Sequence, residues 1–310
     1  MQAAIKLGYL VFEVRKPNRW AQFCEGMLGL PAPLANTDGS LGFQLDEAAQ
    51  RLVVRPGDAD DLAALGLECA SDAVLDALLQ RLERAGHAVE GDLAALARAR
   101  RVQRLCRVID PAGNAVELHT GPQSAARPFG SKLVSGGFCT GELGLGHAVL
   151  VSRDPVAMVR FYVDGLGFGV SERLATQIGP ITLGGVFLHC NRRHHSVAIF
   201  DLPWKKRLHH FMLQTRELAD VGAAFERAAR LKVPLSLGLG QHPDPDGTFS
   251  FYGRTPSGFD FEIGAGSKEI EPRGWRPVSA TMTSSWGHKP RLQLRLRMAA
   301  AMIRRSRPAA

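Results

Sequence analysis

Several features that often mark a sequence of this size are missing. The five cysteines, Cys24, Cys69, Cys106, Cys139 and Cys190, include no C-x-x-C pair, and their odd number and wide separation argue against both a disulfide framework and a structural zinc site. No apolar run approaches the roughly 18 residues needed to cross a bilayer. The N-terminus also lacks a charged stretch followed by an apolar core and a cleavage site. No membrane association and a cytoplasmic location are therefore expected. Acidic residues are absent from position 289 onward, where Lys289, Arg291, Arg295, Arg297, Arg304, Arg305 and Arg307 supply most of the formal net charge of +8. The body before that tail is nearly neutral, at about +1. A nucleic-acid-binding face would place its Lys and Arg in the folded body among exposed aromatics, so no nucleic-acid partner is expected. The tail pattern L-Q-L-R-L-R-M fits either a basic amphipathic helix or a short disordered extension.

What the chain does have is length and repetition. At 310 residues with 45% apolar content it exceeds one typical domain and can fill real cores. L-G-Y-L-V-F-E-V (7–14) and M-L-G-L (27–30) parallel L-G-H-A-V-L-V-S (145–152) and G-L-G-F (165–168) at an offset of 138, and D-P-A-G-N-A-V-E (110–117) parallels T-P-S-G-F-D-F-E (255–262) at an offset of 145. The seven-residue difference is an ordinary loop insertion. Each half alternates an apolar strand, a helix-periodic stretch and short strands punctuated by Gly and Pro. This reads as an α+β fold of two domains, each made of two βαβββ modules. Helices are expected at Asn18–Leu28, Ala73–Ala85, Pro155–Gly165 and Leu218–Leu231, and a linker at Pro122–Gly137. The expected units are residues 1–134, 135–270 and an extension, 271–310.

Alignment of the halves puts Tyr9 opposite His147, Leu65 opposite His210 and Glu117 opposite Glu262. One copy keeps three candidate metal ligands, and the other keeps only the carboxylate. The first domain is expected to be structural, with Glu117 a solvated charge, and the second chemical. Two neutral imidazoles and one carboxylate on different strands can hold a divalent metal on one face and leave three positions open. That suits Fe(II), which must take a bidentate substrate and dioxygen together, better than a closed zinc site. Spacing alone does not bring His147, His210 and Glu262 together; only a fold that joins their strands does.

The stretches H-H-F-M-L-Q-T (209–215) and F-Y-G-R-T-P-S-G-F-D-F-E (251–262) resemble the extradiol ring-cleavage dioxygenases of the vicinal oxygen chelate superfamily. That family's signature is an aromatic-Tyr pair, a Pro-x-Gly turn and a Glu after three intervening residues, met by Tyr252, Pro256, Gly258 and Glu262. L-G-L-G-H-A-V (143–149), H-C-N-R-R-H-H-S (189–196) and S-W-G-H-K-P (285–290) are similar to the branch acting on bicyclic catechols such as 2,3-dihydroxybiphenyl. The resemblance covers nearly the whole chain before the tail. It implies Fe(II) held by His147, His210 and Glu262, a catechol substrate with O2, and assembly as a homo-oligomer. It also implies that His195 accepts a catechol proton and steadies the activated oxygen, as suits an imidazole titrating near neutral pH, while His242 and Tyr252 hydrogen-bond the substrate. Ala148 and Phe187 are expected to line the pocket. Between His242 and Tyr252 the chain reads P-D-P-D-G-T-F-S-F, where relatives usually have an Asn-Asp pair and one residue fewer, so Asp244 is a substrate-side candidate and the division of roles with Asp246 stays open.

Two other readings share parts of this pattern. A glyoxalase-like isomerase or resistance transferase would keep the metal and lack the His195, His242 and Tyr252 set. A non-catalytic aromatic-binding protein would lack ligands in both halves. Strand alternation sends His209 and His210 to opposite faces, leaving His209 a packing or surface role. His87, His119, His189 and His288 carry the same default.

Overall fold

The computed structural model describes residues 4–178, 181–202, 204–291 and 294–295. The first half runs β1 (Ile5–Val14), α1 (Pro17–Gly26), β2 (Leu34–Ala35), β3 (Leu41–Phe43), β4 (Leu52–Pro56), β5 (Asp61–Cys69), α2 (Asp72–Arg84), β6 (Val89–Glu90), α3 (Ala94–Arg100), β7 (Arg104–Ile109) and β8 (Ala115–Thr120). The second half runs β9 (His147–Val151), α4 (Pro155–Arg160, prolonged by a wider turn over Phe161–Gly165), β10 (Gly169–Ile178), β11 (Ile181–His189), β12 (Val197–Asp201), β13 (Leu208–Gln214), α5 (Leu218–Arg230), β14 (Leu235–Gln241), β15 (Phe249–Arg254) and β16 (Asp260–Ala265). Two short strands follow, β17 (Val278–Ala280) and β18 (Trp286–Gly287).

The repeat in the sequence is a repeat in topology. Eight strands form one sheet in the order β2-β3-β4-β1-β5-β8-β7-β6, and ten form the other as β17-β10-β11-β12-β9-β13-β16-β15-β14-β18. In each sheet the two modules meet at their first strands, β1 against β5 and β9 against β13, both antiparallel, and each first strand pairs in parallel with the last strand of its own module. These are two βαβββ pairs, as the alternating pattern predicted. The four expected helices all form. Pro17 and Pro155 open α1 and α4, where a missing N–H costs nothing. Ser71 and Asp154 cap α2 and α4 through the Val74 and Ala157 amides. Leu75, Leu78 and Leu82 bury one face of α2.

The repeated D-P-A-G and T-P-S-G segments are the turns that aim the last strand of each half. Gly113 and Gly258 adopt φ of 81° and 88°, which a side chain would resist, and their amides close on Asp110 O and Thr255 O at 2.8 and 3.0 Å. The chain then enters β8 and β16, which carry Glu117 and Glu262.

The halves share one apolar core. Phe12 of β1 packs on Trp20 of α1 and on Phe211 and Phe259 of the second half, with ring centroids 4.9, 5.3 and 5.3 Å apart, and Trp20 Nε1 donates to Ser257 Oγ at 2.8 Å. Strand register corrects one alignment. Tyr9 faces Gly66 as His147 faces Met212, so the residue equivalent to His210 is Ala64, and Leu65 belongs to the shared core. Pairing runs unbroken from Tyr9–Gly66 to Val11–Ala64 and from His147–Met212 to Val149–His210, so the offset between the halves at these strands is 146 (210 against 64), one more than at the closing turns.

The metal-free half is filled from within. Glu117 is buried rather than solvated; Tyr9 Oη donates to its Oε2 at 2.7 Å, and Arg100 Nε and Nη2 reach Oε2 and Oε1 at 2.9 and 3.2 Å. Arg100 ends α3, a helix additional to the four expected because seven Ala- and Arg-rich residues are too few to show an apolar stripe. Replacing Arg100 with Met strands a buried carboxylate and should lower the unfolding free energy by about 3–5 kcal/mol, largely recovered in the Arg100→Met/Glu117→Gln double variant, as urea denaturation of the two will show.

His119 stacks on Tyr9 with centroids 4.8 Å apart, and neither ring nitrogen has a hydrogen-bond partner among the described residues. Burial, aided by the Arg51 and Lys6 cations, pushes its pKa down to about 3. The folded-state value lies below the unfolded one of about 6.5, so this ring does not oppose folding above that pH and opposes it increasingly as pH falls toward 3. Across that window His119→Leu should lose less stability than the parent, by on the order of a few kcal/mol, when the two urea midpoints are compared.

Candidate metal centre

Three adjacent strands bring the separated ligand candidates together. His147 opens β9, His210 lies on β13 and Glu262 on β16; His147 and Glu262 both face Met212 across the ladders, and His210 stands two residues from Met212, so all three project from one face. Gly146 precedes His147 because a Cβ there would fall 2.0 Å from Met212 O. All three side chains are buried, with Nε2 of His147 lying 3.2 Å from Nε2 of His210, and Oε2 of Glu262 lying 3.2 and 3.4 Å from those two nitrogens.

Three donors each about 2.1 Å from one ion, on one face of it, stand roughly 3.0–3.4 Å apart. The observed triangle fits that requirement. Glu262 Oε2 is fully buried and makes no hydrogen bond within the described residues, although both nitrogens are that close, so it is aimed at the gap between them. Burial opposes ionisation of this carboxyl, yet the His147, His210 and His242 imidazoles hold it well below the usual carboxylate range. Burial lowers the pKa of His147, against the pull of Glu262. A carboxylate beside an imidazole whose pKa burial lowers suits the deprotonated ligands that a divalent cation needs.

The remaining candidates surround the triad. The His195 ring lies over His147 at 4.0 Å between centroids and edge-on to Phe187 at 4.8 Å, and burial with the neighbouring His147 and His194 rings keeps it neutral, well below its usual pKa. His242 Nε2 sits 2.8 Å from Tyr252 Oη and 3.3 Å from Glu262 Oε1, while its Nδ1–H donates to Thr283 O at 2.6 Å. Burial opposes charge on His242, but Glu262 and the Thr283 carbonyl raise it to about 9. Burial and Glu262 push the Tyr252 phenol well above its usual range, so it keeps its proton as a donor.

A cavity of about 360 Å³ opens beside the triad, walled mostly by apolar groups such as Val149, Leu174, Phe187, Phe200, Trp204 and Leu294. Phe187 lies on it as expected. Ala148 does not, because β9 alternates; it faces the shared core, and Val149 faces the cavity. Asp244 turns outward to Lys268, whereas Asp246 lines the cavity. His209 lines the cavity rather than the surface: the pairing with β9 slips between Leu208 and His210, and the bulge turns both histidines the same way. His194 and His288 are on the wall too, with His194 Nδ1 at 3.0 Å from His195 Nδ1 and the His288 ring tilted against that of His242, centroids 4.7 Å apart. The adjacent-histidine pairs were the signal available in sequence; strict alternation hid it. Met282, Thr283 and Ser284, from the segment between β17 and β18, had no such signal.

Known proteins share this architecture. Residues 144–263 match the Glyoxalase/Bleomycin resistance protein/Dioxygenase superfamily, and residues 7–57 match the first domain of dihydroxybiphenyl dioxygenases. The chain is 40% identical to the biphenyl-2,3-diol 1,2-dioxygenase of Paraburkholderia xenovorans over 91% of this chain and 94% of that one. It is 40% identical to the 3-methylcatechol 2,3-dioxygenase of Pseudomonas putida over 92% and 97%. The crystal structure of a halotolerant catechol dioxygenase superimposes with a TM-score of 0.85 at 33% identity, covering 95% of this chain and 97% of that one. The chain belongs to the extradiol dioxygenases of the glyoxalase/bleomycin resistance protein/dioxygenase superfamily.

Proposed function

We propose that this enzyme cleaves a catechol ring with O2 at an Fe(II) ion held by His147, His210 and Glu262, and that the catechol bears an aryl substituent or fused ring, as in 2,3-dihydroxybiphenyl. The observation that carries the reading is the buried triangle of two Nε2 atoms and one Oε2, with edges of 3.2, 3.2 and 3.4 Å, beside a largely apolar cavity. A relative at 36% identity, from Rhodococcus jostii, is an iron-dependent extradiol dioxygenase. Fe(II) in that triad would take both catechol oxygens, lower their pKa and activate dioxygen. His195, held neutral by burial over the His147 ring, is the base that takes a catechol proton. Tyr252 keeps its proton and donates a hydrogen bond toward the substrate oxygens, and His242, anchored through Nδ1–H by Thr283 O, turns Nε2 toward Tyr252 Oη to steady developing negative charge. The apolar wall seats the second ring and keeps water from the reacting centre.

The accompanying proposal for organisation is a structural unit over 1–134, a catalytic unit over 135–270 and an extension over 271–310, supported by the separate sheets and by a triad confined to the second. The tail beyond residue 295 lies outside the described residues. A cytoplasmic homo-oligomer completes the reading; five free cysteines accord with a reducing compartment, and no described helix is long and apolar enough to cross a membrane.

His210→Ala should abolish iron retention and ring cleavage while leaving the far-ultraviolet circular dichroism unchanged; metal analysis with oxygen-uptake assays checks this, and retained iron with full turnover would remove the assignment. For the substrate, Phe187→Trp should depress kcat/KM for an aryl-substituted catechol by roughly 10- to 30-fold, the loss expected from displacing a buried ring, and change that for catechol itself by no more than a few fold. Equal losses on both substrates would count against an aryl subsite at Phe187.

A further inference from the structure

The bulge in β13 does more than bring an extra histidine to the cavity. His210 presents Nε2 to the triad, 3.2 Å from His147 Nε2 and 3.4 Å from Glu262 Oε2. Its other nitrogen, Nδ1, lies 2.7 Å from Nδ1 of His209. A neutral imidazole carries one N–H, and only one proton can occupy the line between two facing nitrogens. For Nε2 of His210 to offer a lone pair to a metal, its proton must sit on Nδ1 and be donated to His209 Nδ1, which leaves the proton of His209 on its own Nε2. The opposite arrangement, with the proton on His209 Nδ1, would place a proton on His210 Nε2 and block the metal.

We propose that His209 is a positioning residue that sets the tautomer and ring orientation of His210 by accepting its Nδ1–H. Metal-ligating histidines ordinarily give that proton to a carboxylate, a backbone carbonyl or water; a second imidazole does the same work without adding negative charge beside the Glu262 carboxylate. The device depends on the irregular pairing between Leu208 and His210, since in an unbroken strand neighbouring side chains diverge and their rings could not meet. His209 is itself held by ring contacts with Phe200 and Trp204, centroids 6.1 and 5.7 Å away, so the acceptor is fixed before metal arrives.

The inference rests on the proposed triad, and the two fail separately. Co(II) serves as the probe in anaerobic titrations followed by calorimetry and by the visible d–d bands, alongside kinetics of the iron-loaded enzyme. His209→Phe keeps the ring packing and removes the acceptor, and should weaken Co(II) binding by roughly 10- to 100-fold and alter the bands. His209→Asn, whose Oδ1 stands near the position of Nδ1, should regain most of the affinity. Parent-like affinity in His209→Phe, or equal losses in the Phe and Asn variants, would overturn the proposal while leaving the triad intact; failure of the parent to bind Co(II) would overturn the triad reading as well. Long-range proton–nitrogen NMR of the zinc-loaded parent, which requires no variant to fold, should find His210 protonated at Nδ1 and His209 at Nε2, and a proton on His209 Nδ1 would refute it.

Discussion

A fully buried carboxylate costs several kcal/mol of desolvation unless positive charge and hydrogen-bond donors stand against it, and the arrangement around Glu262 follows from that demand. Three imidazoles converge on it, from β9, β13 and the loop after β14. With burial lowering the pKa of His147 and His242 reaching only Oε1, Oε2 still needs a partner, and the gap it shares with the two Nε2 atoms is where a cation would meet it. The three donors therefore fit a divalent ion, and their geometry accounts for the proposed metal without appeal to any single motif.

The other half answers the same demand differently. Glu117 holds the position of Glu262, and Arg100 meets it with an internal guanidinium delivered by α3, while Tyr9 satisfies the same oxygen. In the second half the segment at that point of the module, between β14 and β15, is instead the loop carrying His242, which lines the cavity. A duplicated module has thus been made rigid in one copy by an ion pair and left open for chemistry in the other. A cation is present at each carboxylate by design of the packing, covalently attached in one case and exchangeable in the proposed other.

The extension after β16 takes part in this division. β17 pairs with β10 at one edge of the ten-stranded sheet and β18 with β14 at the other, so the segment between them crosses the open side of the sheet and contributes Met282, Thr283 and Ser284 to the cavity wall. Thr283 O takes the Nδ1–H of His242, which leaves Nε2 facing Tyr252 and Glu262. Backbone from outside the repeat thereby orients a side chain within it.

Much of this was legible in the order of residues. The repeat, the α+β class, the four longer helices and the trio His147, His210 and Glu262 follow from periodicity, Gly and Pro turns and family motifs, all of which are local patterns. What the order could not settle were matters of register and packing. A one-residue slip between β9 and β13 turned His209 into the cavity beside His210, and a one-residue change in the offset between the halves made Ala64 rather than Leu65 the counterpart of His210. Alternation put Val149 in place of Ala148, and the insertion turned Asp246 inward and Asp244 outward. The buried Arg100–Glu117 pair came from a helix too short to show a period. Composition and spacing determined which residues were available to the site; the tertiary structure decided which face each side chain took, because in a sheet a single bulge reverses that face and only pairing with the neighbouring strand reveals where the bulge lies.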